Sequence, residues 1–461
     1  MSAVYTHPRL TQLTVVAAVL AASAASAFSP SILWPAALVG AVGVGLLLRW
    51  PNLGLAILPL VGLLVPFSIG TGTETNLNAS VLLIAGLLGL WLLHGLLTPG
   101  RTEPLGRPVI PLALLIVVAI LALVAGIQPW LPFASTASLA SQLGGLSLFI
   151  LSAGAFMLTA YRIDDLRWLE AMTWAFVAAG AILVASRLVG PLGQLTNRFF
   201  QSGSDGSMFW IWLAAMSFGQ ALLNQKLRPL WRLTLLGVTL GSTYWGIVLA
   251  RDWISGWLPA LIAIAATYFL AKPRSGTLLA VVGALAISQG ALGLMSAITD
   301  QGNTYSLDTR VAAWQTLGQV ISASPLIGLG PANYYFYTPL FSILGYNVRF
   351  NSHNNYVDII AQTGLLGFAC FLWFALMVFV VGLRLRTRVP AGFERAYVSG
   401  AVGGLVGMLA AGMFGDWFLP FVYNIGLAGF RASILGWLFL GGLVSLEQTV
   451  HDRAQDELEA S

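Results

Sequence analysis

Long, uninterrupted runs of apolar residues restrict the fold of this chain more than any other feature. Most of these runs are about 17–25 residues long, enough for a helix to cross a hydrocarbon core of about 30 Å. Charged residues make up only 8% of the sequence, whereas a soluble domain carries roughly 25%. Strand-like alternation is weak, which disfavours a transmembrane β-barrel. The sequence therefore predicts an all-α polytopic membrane protein.

The lengths of the apolar runs predict about 12–14 transmembrane helices. The first run ends in AASAASAF, which resembles a signal peptidase site, and we interpret it as an uncleaved helix. The expected spans lie near 13–28, 32–49, 53–69, 80–97, 109–127, 140–160, 168–187, 207–223, 233–250, 253–271, 276–297, 364–383, 397–415 and 427–446.

These spans predict one integral membrane domain with four parts. Transmembrane helices occupy 1–297, and a large outer loop containing short helices occupies 298–363. Transmembrane helices resume over 364–446, and a cytoplasmic tail follows over 447–461. The large loop is the longest segment that does not fit within a bilayer.

The distribution of Lys and Arg predicts the orientation. With both termini in the cytoplasm, 16 of the 22 basic residues fall on the cytoplasmic side, as the positive-inside rule requires. Each basic residue left outside either reaches toward headgroup phosphates or helps to bind a phosphorylated ligand, which suits the planar guanidinium fork. These residues are all arginines: Arg187, Arg198, Arg251, Arg310, Arg349 and Arg431.

Arg251 has apolar residues on both sides and only Asp252 as a charged neighbour. An arginine in the middle of a span would cost roughly 2.5–3.5 kcal/mol. We therefore expect both residues at a tight outer turn between two helices. Arg251 either binds a ligand there or pairs with Asp252 to stabilise the turn.

The large outer loop contains His353, the only histidine on the predicted outer side. A neutral imidazole can accept a proton from a hydroxyl group at physiological pH. We interpret Asp358, five residues later, as a negative charge near a helix N-terminus rather than as a catalytic partner. Earlier in the loop we expect a helix that begins near Thr309 and carries Arg310 and Trp314 close to one face.

These residues resemble the bacterial O-antigen ligase and Wzy-type polysaccharide polymerase superfamily of GT-C-like membrane glycosyltransferases. The resemblance covers roughly residues 240–385 and differs at the Arg251 turn, where the family typically has Ser-Arg and this chain has Ala250. It rests on Arg310 with Trp314, on PLIGLG from Pro325 to Gly330, and on His353-Asn354 followed after nine residues by GLLG from Gly364 to Gly367.

The resemblance implies transfer of a glycan from undecaprenyl diphosphate to an acceptor sugar hydroxyl at the periplasmic face of the inner membrane. It implies an inverting reaction without metal or cofactor, in which His353 is the catalytic base. Arg251 and Arg310 match family arginines that bind the donor diphosphate; Arg349 is a local addition, and Arg198 and Arg431 are further candidates. Asn354, Trp314 and Tyr335 are expected to support the acceptor or the loop.

The expected partners are the lipid-linked glycan, an acceptor glycan or lipid A core, and membrane lipids, with no nucleic acid. A flippase for the same lipid is an alternative, although it would carry ionisable residues deep within its spans. The outer carboxylates are too dispersed to suggest a cation site. They are Glu74, Asp205, Asp252, Asp300, Asp308, Asp358 and Asp416.

The same donor would serve a polymerase and a ligase. Six outer arginines against seven carboxylates leave the outer surface nearly neutral, whereas a ligase that accepts the phosphorylated lipid A core needs a basic surface. Sugar hydroxyls need no such charge, and the aromatic residues Tyr334, Tyr335, Phe336 and Tyr337 can stack on sugar rings. The sequence therefore favours a polymerase, with a ligase as the alternative.

Overall fold

A computed structural model describes residues 49–70, 76–97, 106–196, 202–276 and 301–460, with single positions at 43, 45–47 and 200. The chain divides into two units, residues 1–54 and residues 55–461. Only a few positions of the first unit are described. The expected span at 13–28, and almost all of those at 32–49 and 276–297, lie outside the described residues.

Helices form most of the regular structure in the described part of the chain. A two-stranded antiparallel pair follows the first helix, with β1 (Ser68–Gly70) against β2 (Asn76–Asn78) and Ile69 opposite Leu77. The helices are α1 (Pro51–Leu64), α2 (Ala79–Leu97), α3 (Val109–Gly126), α4 (Leu139–Arg162), α5 (Leu166–Leu188), α6 (Gly190–Thr196), α7 (Ser207–Leu223), α8 (Pro229–Tyr244), α9 (Ile254–Ala271), α10 (Gln301–Ile321), α11 (Tyr334–Tyr337), α12 (Asn355–Arg388), α13 (Phe393–Ala411) and α14 (Gly426–Ala460).

Seven helices in the described ranges are long and apolar enough to cross a membrane: α2, α3, α4, α5, α9, α12 and the Gly426–Arg453 part of α14. Helices α1 and α7 are also apolar but shorter. This confirms the expected class, an all-α polytopic membrane protein. Helix α10 begins at Gln301, well before the expected start near Thr309. Polar residues extend a helix at a cost below about 0.7 kcal/mol each, so the polar stretch before Asp308 does not end it.

Small residues allow the helices of the interior to approach closely. A Cβ on Gly400 of α13 would lie 2.9 Å from the carbonyl oxygen of Ala215 in α7. A Cβ on Gly407 of the same helix would lie 2.7 Å from the carbonyl oxygen of Pro259 in α9. Such contacts are typical of membrane helices, where van der Waals packing replaces the hydrophobic driving force.

Helix α12 is interrupted at Gly364, whose backbone has φ 68° and ψ −173°. This region of conformational space is accessible essentially to glycine alone. The break leaves backbone groups without intrahelical partners, and the loop over 325–330 supplies them. The bonds join Leu365 N to Pro325 O (2.8 Å), Leu366 N to Leu326 O (3.2 Å), Leu329 N to Ala361 O (2.9 Å) and Gly330 N to Gln362 O (3.2 Å).

The loop over 325–330 therefore supplies hydrogen-bond partners for the backbone groups at the break in α12. In a membrane protein, irregular backbone is tolerated where such partners are available inside the protein. Gly328 and Gly330 have positive φ values of 83° and 92°, and a side chain on Gly328 would lie against the backbone of Gly364. The PLIGLG run and the GLLG run are thus two halves of one contact. This contact sets the position of the first part of α12 relative to the residues that follow the loop.

Candidate active site

A cavity of about 310 Å³ lies between α10, the segment before α12 and the loop after α13. It brings together four of the predicted site residues, Arg310, Arg349, His353 and Tyr335. The lining residues include no carboxylate. They are Thr309, Arg310, Ala313, Tyr335, Ile343, Arg349, Phe350, Asn351, Ser352, His353 and Tyr423. Two guanidinium groups without an opposing carboxylate favour an anionic ligand.

The two arginines reach the cavity from different elements. Arg310 of α10 is half-buried, and its Nη1 donates a hydrogen bond to the carbonyl oxygen of Phe414 at 3.2 Å. Arg349 is exposed, and its guanidinium lies 4.3 Å from the ring centroid of Phe336, a cation–π geometry. Each arginine is thereby oriented by a protein contact that leaves other N–H groups of the fork for a ligand.

His353 lines the same cavity with an exposed side chain. Its backbone has φ 47°, and its N–H donates to Oδ1 of Asn351 at 3.2 Å. Partial desolvation and the positive charge of Arg310 lower the pKa of His353. The imidazole is therefore neutral at pH 7 and can accept a proton.

The residues on either side of His353 are buried and hydrogen-bonded. Trp314 donates from Nε1 to the carbonyl oxygen of Ser352 at 2.8 Å. Asn354 is the N-cap of α12, and its side chain accepts hydrogen bonds from the backbone N–H groups of Tyr356 and Val357, as asparagine commonly does at this position. Trp314 and Asn354 therefore support the backbone of the His353 turn, while Tyr335 lies in the cavity wall.

Asp358 is buried in the first turn of α12, and its Oδ1 accepts hydrogen bonds from the hydroxyl groups of Tyr334 and Ser352. Asp358 does not line the cavity that contains His353, and helical spacing alone predicts no contact between the two residues. It does not reveal the indirect connection, which passes through the hydroxyl of the residue that precedes His353.

The four aromatic residues at 334–337 differ in exposure. Tyr334 and Tyr337 are fully buried in a core cluster, so the expectation that they stack on sugars is wrong. The reason is that α11 is a single helical turn, which directs these two rings inward. Tyr335 remains in the cavity wall and stacks on Tyr423, with ring centroids 4.8 Å apart and planes 15° from parallel.

Sequence reasoning missed Tyr423, which the loop after α13 brings to the cavity. Asp416 organises that loop: its Oδ2 accepts from Phe421 N at 2.7 Å and its Oδ1 from Asn424 Nδ2 at 2.6 Å. Burial raises the pKa of Asp416 to about 6. Asp416 is thus a buried loop-forming group rather than an outer surface charge, and no local motif around Tyr423 signals its role.

Arg251 is exposed and does not line the cavity. It lies in a turn that follows a π-helical segment, Trp245–Leu249. No ion pair joins it to Asp252 within the described ranges, which removes the alternative role in an Arg–Asp pair. An aromatic contact connects this turn to the site, since the ring centroids of Trp253 and Trp417 lie 6.1 Å apart. Trp417 belongs to the loop after α13, and the carbonyl oxygen of Phe414 in that loop accepts the hydrogen bond from Arg310.

Two further arginines of the predicted outer side, Arg431 and Arg187, do not line the cavity. Arg431 is buried and donates from Nη1 and Nη2 to the carbonyl oxygens of Val65 and Phe67 at 3.0 and 2.9 Å. These bonds satisfy carbonyl groups just beyond the end of α1. Arg187 lies 3.9 Å from Asp205 and over the ring of Trp245. Arg198 lies outside the described residues.

The spacing of the site motif has a physical basis in this geometry. His353 and Asn354 form a turn and a helix cap, nine helical residues follow, and Gly364 then breaks the helix. Residues 231–372 match the family model described as O-antigen ligase, Wzy_C. This segment, less than half of the chain, is similar to the O-antigen ligase and polymerase superfamily. No curated protein matches the chain.

The O-antigen ligase segment contains Arg251, Arg310, Arg349 and His353, and both halves of the contact at the helix break. Tyr423 and Asp416 lie after it in the chain. In the part of the chain that the structure describes, no group of three or more His, Cys, Asp or Glu side chains is arranged to hold a metal ion. The charged groups at the cavity are those of its two arginines.

Proposed function

We propose that this O-antigen ligase superfamily protein is a glycosyltransferase that acts at the periplasmic face of the inner membrane. It transfers a glycan from an undecaprenyl-diphosphate-linked donor to an acceptor sugar hydroxyl. The observation that carries this proposal is the shared cavity of Arg310, Arg349 and His353, in which a neutral base lies beside two cations. Donor, acceptor and membrane face follow from the resemblance to the family.

The proposed reaction is a single displacement. His353 accepts the proton of the acceptor hydroxyl as its oxygen bonds to the anomeric carbon of the donor sugar. The bond from that carbon to the diphosphate oxygen breaks, and the lipid diphosphate leaves with the electron pair. Arg310 and Arg349 stabilise the developing negative charge. Attack opposite the leaving group inverts the anomeric centre, and no metal ion takes part.

Arg251 keeps its expected role of binding the donor diphosphate in this scheme, but at a different place from Arg310. Because it lies outside the cavity wall, we assign it to the diphosphate of an approaching donor rather than to the reacting centre. Arg431 is buried and donates to the carbonyl groups of Val65 and Phe67, which supports a structural role for that residue.

The acceptor is proposed to be a sugar of a growing polysaccharide, which makes the protein a polymerase. Tyr335 and Tyr423 provide an aromatic wall beside His353. Aromatic rings combine a large apolar face with a polar hydroxyl, which matches a sugar ring. The two cavity arginines are occupied by the donor diphosphate and leave no cation in the wall for a phosphorylated lipid A core.

Reconstitution tests this proposal. Purified protein in liposomes that contain only the lipid-linked repeat unit should yield a ladder of product lengths, and this should persist in chelator. The His353→Ala variant should fold normally and lose at least about 10²-fold in rate, the usual contribution of a positioned base. Near-normal turnover by that variant would exclude His353 as the base.

The same experiment distinguishes the alternatives. Product that forms only after lipid A core is added would identify a ligase. Movement of the lipid-linked glycan across the bilayer without any new glycosidic bond would identify a flippase. Loss of the ladder in chelator, restored by magnesium or manganese, would show that a divalent metal takes part.

A further inference from the structure

His353 has a backbone conformation that non-glycine residues rarely adopt. Its φ of 47° lies in the left-handed region, which is unfavourable for side chains with a Cβ. Such conformations persist only where the surrounding structure enforces them, and they cluster at active sites. The protein must therefore contain groups that hold this turn in place.

Three side chains behind the turn supply that constraint. The hydroxyl of Tyr334 accepts a hydrogen bond from the backbone N–H of Ser352 at 3.3 Å and donates to Oδ1 of Asp358. The hydroxyl of Ser352 donates to the same carboxylate oxygen at 2.7 Å and accepts from Asn354 N at 2.9 Å. All three side chains are buried. The network thus bonds to backbone on both sides of His353.

The network joins three separate parts of the chain. Tyr334 belongs to α11, Asp358 to the first turn of α12, and Ser352 to the segment between them. Burial and the adjacent Asp358 raise the pKa of Tyr334 well above its ordinary value, so its hydroxyl stays protonated and donates. Breaking one of these buried hydrogen bonds would leave a further polar group unpaired, which is costly, so the bonds restrain the turn.

We propose that Tyr334, Ser352 and Asp358 are positioning residues that hold His353 in its strained conformation at the cavity. This inference rests on the proposed function, since it assigns them to the base of that reaction. Tyr334 and Asp358 do not line the cavity, and the hydroxyl of Ser352, which does line it, is buried and bonded to Asp358, so none of the three needs to contact substrate. Their effect is on the distance and direction between the imidazole and the acceptor hydroxyl.

The charged and titratable groups around the turn define what a pH measurement would report. Arg310 and Arg349 share the cavity with His353. Asp358 and Asp416 are buried behind the turn and interact with Tyr334. If the turn relaxes, His353 moves away from the desolvation and the Arg310 charge that lower its pKa. The pKa of His353 then rises toward its ordinary value, and the acid limb of the rate profile moves to higher pH.

The chain offers a matched pair of variants for the test, Tyr334→Phe and Tyr337→Phe. Both tyrosines are fully buried in one core cluster, and each hydroxyl accepts a hydrogen bond from one backbone N–H. For Tyr337 the donor is Trp130 N at 3.3 Å, away from the His353 turn. The two changes therefore remove the same atom within one core cluster, but only Tyr334→Phe also removes a hydrogen bond to Asp358 and disconnects His353.

The assay is kcat, donor KM and the pH profile of kcat in liposomes, with the thermal unfolding midpoint of each variant. Tyr334→Phe should lower kcat by about 10- to 100-fold, the effect of a misplacement of about 1 Å. Its donor KM should stay near the parental value, and its acid limb should move to higher pH. Tyr337→Phe should unfold near the parental temperature. It should also keep the parental kcat and the parental acid limb of the pH profile.

Ser352→Ala provides a second test that does not depend on an aromatic core residue. It removes one hydroxyl bond to Asp358 and should also lower kcat and move the acid limb. If Tyr334→Phe does not fold, this variant decides the question. Parental kcat and an unmoved acid limb in the variants of the network would overturn the inference when His353→Ala is inactive. Parental activity in His353→Ala would instead show that the proposed base is wrong.

Discussion

Replacing Gly364 with alanine should destabilise the protein severely, because the new Cβ adds both backbone strain and a steric overlap. The backbone at φ 68° and ψ −173° lies in a region that costs a residue with a Cβ roughly 1–3 kcal/mol. The new methyl group would also overlap the carbonyl of Leu326 in the docked loop, and overpacking of this kind costs roughly 1–3 kcal/mol. Together these contributions predict a loss of roughly 2–6 kcal/mol.

That loss is large compared with a typical folding free energy of about 5–15 kcal/mol. The methyl group cannot be accommodated by a small local movement, because the loop over 325–330 bonds to the helix on both sides of the break. We therefore expect the loop to leave the break. This would break the four backbone hydrogen bonds between the loop and the helix and would move the residues that lead into α11.

The assay is thermal unfolding of purified protein in detergent, with size-exclusion chromatography to detect aggregation. Gly89→Ala is the matched control, because Gly89 lies within α2 and a Cβ there would meet nothing within 4 Å. Alanine is favoured over glycine inside a helix by about 1 kcal/mol, so the control should unfold at or slightly above the parental temperature. If Gly364→Ala unfolds at the same temperature as Gly89→Ala, the break in α12 tolerates a side chain and this prediction is wrong.

Three further outcomes follow from the site. The transfer rate should fall as pH decreases through the pKa of His353, which desolvation and the charge of Arg310 place below its ordinary value of about 6.5; a protonated imidazole cannot accept a proton, so a rate without an acid limb over the whole pH range in which the protein stays folded would contradict this. Arg310→Lys should raise donor KM or lower kcat by at least about 10-fold, since a point charge cannot bond Phe414 and a diphosphate as a fork does; kinetics equal to the parent would show that Arg310 is only an anchor. Arg431→Met should lower the unfolding midpoint, because the buried guanidinium no longer bonds the carbonyl groups of Val65 and Phe67, and a hydrogen bond to a charged group contributes about 1.5–3 kcal/mol; a parental midpoint with a raised donor KM would instead support a role in donor binding.

The fold class could be read from the sequence because the bilayer imposes a strict length rule. A run of apolar residues long enough to span the hydrocarbon core must satisfy its own backbone hydrogen bonds, and a helix does so locally. The same local logic placed His353, Arg310 and Arg349 in one polar loop. That the three side chains share one cavity could also be expected, because the loop is short relative to the chain and most other segments are apolar.

The role of a single arginine is harder to predict from the sequence, because the sequence does not show which groups its guanidinium contacts. Arg431 and Arg310 carry the same charge on the predicted outer side, yet the structure places one inside the protein against two carbonyls and the other at the cavity. The difference depends on α1, which lies more than 360 residues away from Arg431 in the chain. No local sequence pattern predicts a contact between residues so far apart in the chain.

A membrane-spanning helical frame, a polar loop and the histidine within it are local features of the sequence, because hydropathy and helix capping act over a few neighbouring residues. The way the loop over 325–330 fills the break at Gly364, and the way Tyr334 and Asp358 restrain His353, depend on the tertiary structure. It also decided that Tyr423 faces Tyr335. These contacts join segments distant in the chain, and they form because buried polar groups must find partners wherever the packed helices bring them together.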